Sequence, residues 1–283
     1  MGMPFARNLV AAGFPVVGYD TATAAREAFA KIGSVAQTAA EAVGGADTVI
    51  TMLPDGRIVR SVLDEVRGAL AAGTLVIDMS SSAPLGTRAL GQSLETQGVT
   101  LIDAPVSGGV AKAQAGTVAI MAGGPAAAVD RAMPVLQALG SRVIHAGDLG
   151  SGHAVKALNN YVSAAGLQAA CEALLVARAF GIDGETFVDV LNASTGRNNS
   201  TEVKMKPFVL SETFASGFAL GLMAKDVGTA RDLADALDVT APGLASAADL
   251  WSRAAVRLPD ADHTEIHRML MDLQAGSDTN GAG

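Results

Sequence analysis

The sequence has almost no cysteine, few aromatic residues and no surplus of positive charge. A single cysteine, Cys171, stands among 283 residues, so no disulfide can form within the chain. The fold has to hold by packing, and this cysteine usage suits a reducing compartment; the expected location is cytoplasmic. Cys171 sits in an Ala/Leu-rich stretch and reads as an inert buried thiol. Aromatic residues make up 4%, which leaves Ala, Val, Leu, Ile and Met to build the core. Charged residues make up 17%, with 28 acidic against 20 basic side chains and a formal charge of -8. Phosphate contact needs a concentrated basic face, so this balance argues against a nucleic-acid partner. No secretion signal is visible and no apolar run reads as a bilayer span, so no membrane partner is expected.

What is present is apolar residues at 49%, 32 glycines and a change of character half-way. The first half alternates Val/Ile-rich runs with helical patterns. The runs are Pro15–Asp20, Asp47–Leu53, Thr74–Ser80, Val99–Val106, Thr117–Gly123 and Arg142–Ala146. They lack polar alternation, as strands covered on both faces do, and predict a parallel α/β sheet of Rossmann type. Strand signals stop at Leu149–Gly152. From Gly152 to Phe180 runs a long helical pattern, apolar around most of its circumference, which predicts a helix buried in the middle of the fold. Helices alone follow, near 184–192, 202–210, 224–237, 243–256 and 263–273. The expected layout is residues 1–148 as a dinucleotide-binding α/β domain, 149–274 as an all-helical domain opened by the long central helix, and 275–283 as a disordered tail.

The opening stretch carries the second half of a dinucleotide-binding βαβ unit. Pro4 suits a first helical turn, Gly13 suits a helix end, and the strand Pro15–Asp20 ends in an acid placed to accept hydrogen bonds from ribose hydroxyls. Only Gly2 can stand as the third glycine of the phosphate-binding turn, with Met3 beside it. A first strand and the rest of that turn are expected to precede Met1, a segment of about ten residues. Asp20 is followed by Thr21, with no arginine until Arg26, and a carboxylate there repels a 2′-phosphate. The cofactor expected is NAD, with NADP as the alternative.

The start of the long helix carries Lys156, Asn159 and Asn160 on an otherwise apolar sequence. Residues 156 and 160 share a helix face. Burying such groups costs several kcal/mol unless they are paired, so they either satisfy one another or face a cleft. An amine beside an amide suits hydride chemistry: the amine exchanges the proton of an alcohol while the amide holds the oxygen. Ser107, Gly108 and Gly109 follow a strand and offer a hydroxyl and exposed backbone N–H groups to an anion, or simply end the strand. Arg197 is a substrate contact or a solvated loop residue. The four histidines show no metal-ligand spacing, no metal is implied, and His263 and His267 read as an exposed helix face.

Several ordered motifs resemble the β-hydroxyacid dehydrogenases, the family of 3-hydroxyisobutyrate dehydrogenase and tartronate semialdehyde reductase. They are Met1-Gly2 with Asn8-Leu9, Met52-Leu53-Pro54, Asp78-Met79-Ser80-Ser81, Asp103-Ala104-Pro105-Val106-Ser107-Gly108-Gly109, Gly150–Gly152 with Lys156, Asn159 and Asn160, and Leu222-Met223-Ala224-Lys225-Asp226. The resemblance runs from Met1 to about Leu273. It implies Lys156 as the catalytic residue with Asn160, and Ser107, Gly108, Gly109 and Asn159 as substrate-binding. It implies Gly2, Met3, Asp20, Met52, Leu53, Pro54, Ser81, Phe218, Lys225 and Asp226 around the cofactor. The implied reaction is hydride transfer between a nicotinamide and a short 3-hydroxy acid or its semialdehyde, in a homodimer or homotetramer. Ser81 stands where the family often has threonine, and Ser82-Ala83 where Ile-Ser is common. Two alternatives stay open: an NADPH-dependent aldehyde or imine reductase of the same superfamily, whose imine-reducing members usually replace the lysine, and an inactive homologue that lacks the glycine turn and acts by binding or oligomer formation.

Overall fold

A computed structural model describes residues 1–278 and divides the chain into two compact units, Met1–Lys156 and Ala157 onward. In the first unit the strands are β1 (Val17–Gly18), β2 (Ser34–Val35), β3 (Thr48–Thr51), β4 (Leu75–Asp78), β5 (Thr100–Asp103), β6 (Val106–Ser107), β7 (Val118–Gly123) and β8 (Gly140–Gly147). The helices between them are α1 (Gly2–Ala11), α2 (Thr23–Phe29), α3 (Ala39–Val43), α4 (Gly56–Glu65), α5 (Pro84–Glu95), α6 (Gly109–Gln114) and α7 (Ala126–Leu139).

Strand periodicity explains the layering. In β4, Leu75 and Ile77 enter one core with Phe5, Leu9, Val129 and Leu136 of α1 and α7. Val76, between them, enters a second core with Val59, Leu63, Leu90 and Leu94 of α4 and α5. Successive side chains point to opposite faces, so a continuous apolar run is what a sheet covered on both sides requires. Local signals start the helices: Asp55 accepts from the backbone N–H of Arg57 and Ile58 at the head of α4, and Pro84 occupies the first turn of α5.

The sheet differs from expectation in two ways. β1 and β2 pair with each other only, while β3, β4 and β5 are parallel neighbours in a separate six-stranded sheet. That second sheet is mixed, since β7 runs antiparallel to β5 and β6. The reversal follows from Gly108 and Gly109, whose φ of 140° and 71° only glycine adopts without strain. They turn the chain into α6, a short helix absent from the sequence reading, and β7 returns alongside.

The second unit is helical. α8 (Ser151–Ala179) runs on from the first unit, followed by α9 (Gly184–Ala193), α10 (Asn199–Val203), α11 (Leu220–Ala236), α12 (Pro242–Arg257) and α13 (Ile266–Asp278). The segment 202–210 is not one helix: Met205–Leu210 widens into a π-helix that contains Pro207, which has no N–H to give. α13 reaches Asp278, into the stretch expected to be a tail; residues 279–283 of that expectation lie outside the described residues. The core gathers Leu167, Cys171, Leu174, Val188, Met205, Trp251 and Ile266. Cys171 is fully buried, and burial first, then the charge of Glu172, push its thiol up to about 12, so it is inert as expected.

Two expectations are corrected here. α8 is not buried all round. It is long and apolar enough to cross a membrane by length and composition, yet only 33% of its most apolar window is buried. One face packs in the core, while Val162 and Val176 are exposed, as is Phe180 just after the helix. His263 and His267 are not an exposed face but lie at 2% exposure each. The reason is a capping turn: Asp262 accepts from Thr264 N, Glu265 accepts from Asp262 N, and the turn points both rings inward. The His263 ring stands edge-on to Phe218 with 5.6 Å between centroids, and its Nδ1 donates to the Phe218 carbonyl at 3.1 Å.

Burial, with the Lys204 ammonium nearby, pushes His263 down from 6.5 to about 4. The unfolded chain therefore takes up a proton between those values while the folded one does not. The stabilisation is complete above 6.5 and is lost as pH falls towards 4, a loss on the order of 3 kcal/mol. In His263→Asn, whose amide can still donate to Phe218, the drop in urea stability between neutral pH and about pH 4.5 should shrink by about 2 kcal/mol.

Candidate active site

The polar centre of the first unit is a row across the sheet. Thr51, Asp78, Asp103 and Gly123 sit side by side in register at the ends of β3, β4, β5 and β7. Asp78 is 2% exposed and accepts from Thr51 Oγ1 at 2.8 Å, Ser80 N at 3.0 Å and Ser82 Oγ at 2.9 Å. Asp103 has no exposure and accepts from the backbone N–H of Gly150 and of His153, each at 2.7 Å. The carboxylate thus satisfies donors at the head of α8, where helix N–H groups have no partner of their own. Burial raises the Asp103 carboxyl above its ordinary value, against the opposing pull of His153 and these N–H groups.

His153 fills the space between the two acids. It lies 3.7 Å from an oxygen of each, with Nδ1 at 2.9 Å from Thr87 Oγ1 and Nε2 at 3.2 Å from the Ser80 carbonyl. The fit excludes larger residues nearby. A Cβ at Gly152 would stand 2.1 Å from the Met121 carbonyl oxygen, and one at Gly123 2.5 Å from Asp103 Oδ1. Sequence reasoning missed this cluster, although Asp103 and Gly152 fall inside the motifs it quoted and Gly123 ends one of its strand runs; the signal was a charged residue ending an otherwise apolar strand.

The residues expected around the cofactor follow strand ends. Met52, Leu53 and Pro54 follow β3, and Ser81 follows β4 by three residues. Leu53 N donates to Ser80 Oγ at 2.9 Å, which ties these two loops together. Gly2 opens α1, and a Cβ there would meet Met52 Cγ at 3.9 Å, so the two are neighbours. Met3 lines a depression of about 320 Å³ with Pro4, Arg7, Asn8 and Gln114. Asp20 stands apart from them in chain order, just past β1 on the two-stranded sheet. Its Oδ1 accepts from Ala22 N at 2.8 Å. Crevices outside the carboxyl ends of parallel strands are where open α/β sheets hold nucleotides. Ser107 ends β6, and Lys112, unnoticed in the sequence, packs over Gly108: a Cβ there would be 2.8 Å from Lys112 Cδ.

The second unit brings together another group. Asp226, 3% exposed, accepts from Asn160 Nδ2 at 2.6 Å, and Lys225 Nζ lies 3.3 Å from its other oxygen. Asn159 Nδ2 donates to Asn160 Oδ1 at 3.3 Å. These bonds orient the Asn160 amide. Lys156 stands one turn earlier on α8 and is half-buried. Phe218 does not join this group but packs on His263. Arg197 is paired with Glu202 at 3.6 Å at the surface.

Known proteins resemble this chain over most of its length. Residues 1–147 match the model of the NAD binding domain of 6-phosphogluconate dehydrogenase. Residues 150–270 match the NAD-binding family model of NADP-dependent 3-hydroxyisobutyrate dehydrogenase. A probable 3-hydroxyisobutyrate dehydrogenase of Mycobacterium tuberculosis is 38% identical over 273 residues, covering 94% of this chain and 93% of that one. The chain belongs to the β-hydroxyacid dehydrogenase family. The solved structure of Mycobacterium tuberculosis 3-hydroxyisobutyrate dehydrogenase with L-serine superposes with a TM-score of 0.90 at 37% identity, covering 95% of each chain. The 2-(hydroxymethyl)glutarate dehydrogenase of Eubacterium barkeri is 36% identical over 255 residues, 89% of this chain and 85% of its own length. This dehydrogenase is accordingly an NAD(P)-dependent oxidoreductase of the hydroxyacid type.

The Asp103 clasp gives a direct test of what holds α8 to the sheet. Asp103→Asn leaves the shape but turns an amide N–H₂ towards a backbone N–H and removes the charge. Urea denaturation should show a loss of about 3 kcal/mol.

Proposed function

We propose that this dehydrogenase moves a hydride between a nicotinamide and a short 3-hydroxy acid or its semialdehyde, with Lys156 as the proton carrier. The observation that supports this most is the oriented amide of Asn160, held by buried Asp226 one helical turn from Lys156. An amide held in this way presents a fixed hydrogen-bonding group to one oxygen atom, and an amine on the same helix face reaches that oxygen.

The nicotinamide, when bound, supplies or accepts the hydride. In the reducing direction the Lys156 ammonium gives its proton to the new alkoxide oxygen; in the oxidising direction the amine takes the hydroxyl proton. Asn160 holds that oxygen in line, with Asn159 supporting the amide. Ser107, Gly108 and Gly109 bind the substrate carboxylate through the hydroxyl and backbone N–H groups, with the Lys112 ammonium adding positive charge. Gly2, Met3, Met52, Leu53, Pro54 and Ser81 line the cofactor, Asp20 takes the adenosine ribose, and Lys225 is assigned to the cofactor as well. Asp226 acts through Asn160 and Lys225, and Phe218 through its packing. The substrate class draws support from relatives whose names specify 3-hydroxyisobutyrate and 2-(hydroxymethyl)glutarate. The presence of Lys156 favours an alcohol over an imine.

A second copy of the chain is the proposed partner of the exposed side of α8. Val162 and Val176 of that helix and Phe180 just past its end are 67%, 71% and 85% exposed. Apolar surface of this kind is normally covered in the working assembly. A cytoplasmic location fits a single buried cysteine.

Turnover followed at 340 nm with 3-hydroxyisobutyrate, glycerate, tartronate semialdehyde, succinate semialdehyde and 4-hydroxybutyrate tests the reaction. One or more 3-hydroxy acids or semialdehydes should react, and Lys156→Ala should lower kcat by at least about 1,000-fold with the circular dichroism unchanged. Retained turnover in that variant removes the role assigned to Lys156. For the assembly, Val176→Glu with Phe180→Glu should shift the mass measured by light scattering from oligomer to monomer. A monomeric parent protein contradicts the proposed interface.

A further inference from the structure

Asp262 divides its two oxygens between two segments. Oδ1 accepts from Thr264 N at 2.9 Å and Thr264 Oγ1 at 2.6 Å, which caps the turn into α13. Oδ2 accepts from Gly217 N at 2.8 Å and Phe218 N at 3.2 Å. Ser216 Oγ lies between them, 2.8 Å from Oδ1 and 2.9 Å from Oδ2. The backbone repeats the join: Leu220 N donates to the Ala261 carbonyl and His263 N to the Phe218 carbonyl, each at 2.8 Å. Ala219 and Asp262 pair as an antiparallel bridge. Burial raises the Asp262 carboxyl, but the Thr264 and Ser216 donors and the neighbouring His263 outweigh it. The group therefore sits below the ordinary carboxylate value and is charged near neutral pH.

A helix cap needs one acceptor facing its own first turn. The second oxygen serves a segment 44 to 46 residues earlier in the chain. That segment does not hold its shape unaided. Glu212 and Phe214 have φ of 56° and 45°, left-handed values at which a side chain crowds the backbone and which persist only where the surroundings fix them. The segment leads into α11, whose N-cap, Ala219, makes no side-chain bond to it. Along its length α11 is held by Leu220, Met223, Val227 and Ala230 in the apolar core, and such packing has little direction along the helix axis. The bonds to Asp262 and its neighbours therefore set where the helix begins. Asp226 follows Leu220 by six residues, about 9 Å along the helix, and its Oδ2 accepts from the Asn160 amide at 2.6 Å.

We infer that Asp262 is a positioning residue for hydride transfer: through Oδ2 it fixes the start of α11, and so the place of Asp226 against Asn160. This rests on the reading of Asn160 as the group that holds the reacting oxygen. A shift of about 1 Å in an orienting group costs on the order of 100-fold in rate, so an anchor at the far end of a stiff helix is felt at the reaction.

The test separates the two oxygens. Asp262→Asn keeps the shape and a cap as good as aspartate, with the amide oxygen on Thr264, but turns an N–H₂ towards the N–H groups of Gly217 and Phe218. Thr264→Val removes a cap bond and leaves the bonds to 216–218, so it controls for lost stability. Turnover is measured well below each thermal midpoint, with NAD and the hydroxy acid of the panel above that the parent oxidises fastest. Asp262→Asn should lower kcat about tenfold or more and move KM for the hydroxy acid by less than about threefold. Thr264→Val should lose comparable thermal stability and keep kcat within about twofold. Added to Asp226→Asn, Asp262→Asn should lower kcat by less than about threefold further, because both act on one amide. Hydrogen exchange of the backbone amides over 220–226 should quicken about tenfold in Asp262→Asn and stay at the parental rate in Thr264→Val. Equal loss of kcat in Asp262→Asn and Thr264→Val, full multiplication of the Asp262 and Asp226 losses, or parental exchange of α11 in Asp262→Asn overturns the inference. So does full activity of Asp262→Asn in an active parent, which leaves the reading of Lys156 and Asn160 standing. A parent protein that turns over no hydroxy acid of the panel removes that reading and the inference with it.

Discussion

The carboxylate of Asp103, with no exposure to water, joins the end of β5 to the first turn of α8. A buried charge is costly unless hydrogen-bonded, and here two backbone N–H groups donate to it, with the His153 ring 3.7 Å away. Much of the first unit is arranged around that requirement. Gly123 and Gly152 have no room for a side chain because Asp103 and the Met121 carbonyl occupy it. His153 has to be an imidazole, since it reaches Thr87, Ser80 and both acids from one ring. The helix that carries Lys156 is thereby registered on the sheet by polar contacts, which have direction, rather than by apolar packing, which has little.

The second unit repeats the device with different residues. Asp226 is a buried acid whose oxygens meet an amide on α8 and the ammonium of Lys225. An amide has two chemically different ends, and only a partner of fixed polarity decides which way it faces.

Positive charge is distributed in the same economical way. The chain carries an excess of acid, with 28 acidic residues against 20 basic. Individual cations are held locally: Arg26 against neutral oxygens of its own turn, Lys112 over Gly108, Lys225 against Asp226. A net charge describes the far field and solubility; it does not predict the local potential where a carboxylate or phosphate binds.

The sequence by itself determined the α/β sheet, the helical second half, the inert cysteine and the ordered motifs, because each depends on residues close in the chain. Apolar runs such as Leu75–Asp78 report two-sided burial directly, and Lys156 with Asn160 share a face by helical period alone. Only the tertiary structure decided how β7 runs, which face of α8 stays exposed, where His263 and His267 point, and that Arg26 returns to Asp20. Most of these turn on a partner distant in sequence or on a backbone reversal, while the return of Arg26 to Asp20 is a local side-chain choice that periodicity does not encode. The hydrogen bond between Asp103 and His153 spans 50 residues, and a φ of 140° at Gly108 redirects a whole strand. Periodicity carries no record of such contacts, since they form only once separate elements have packed.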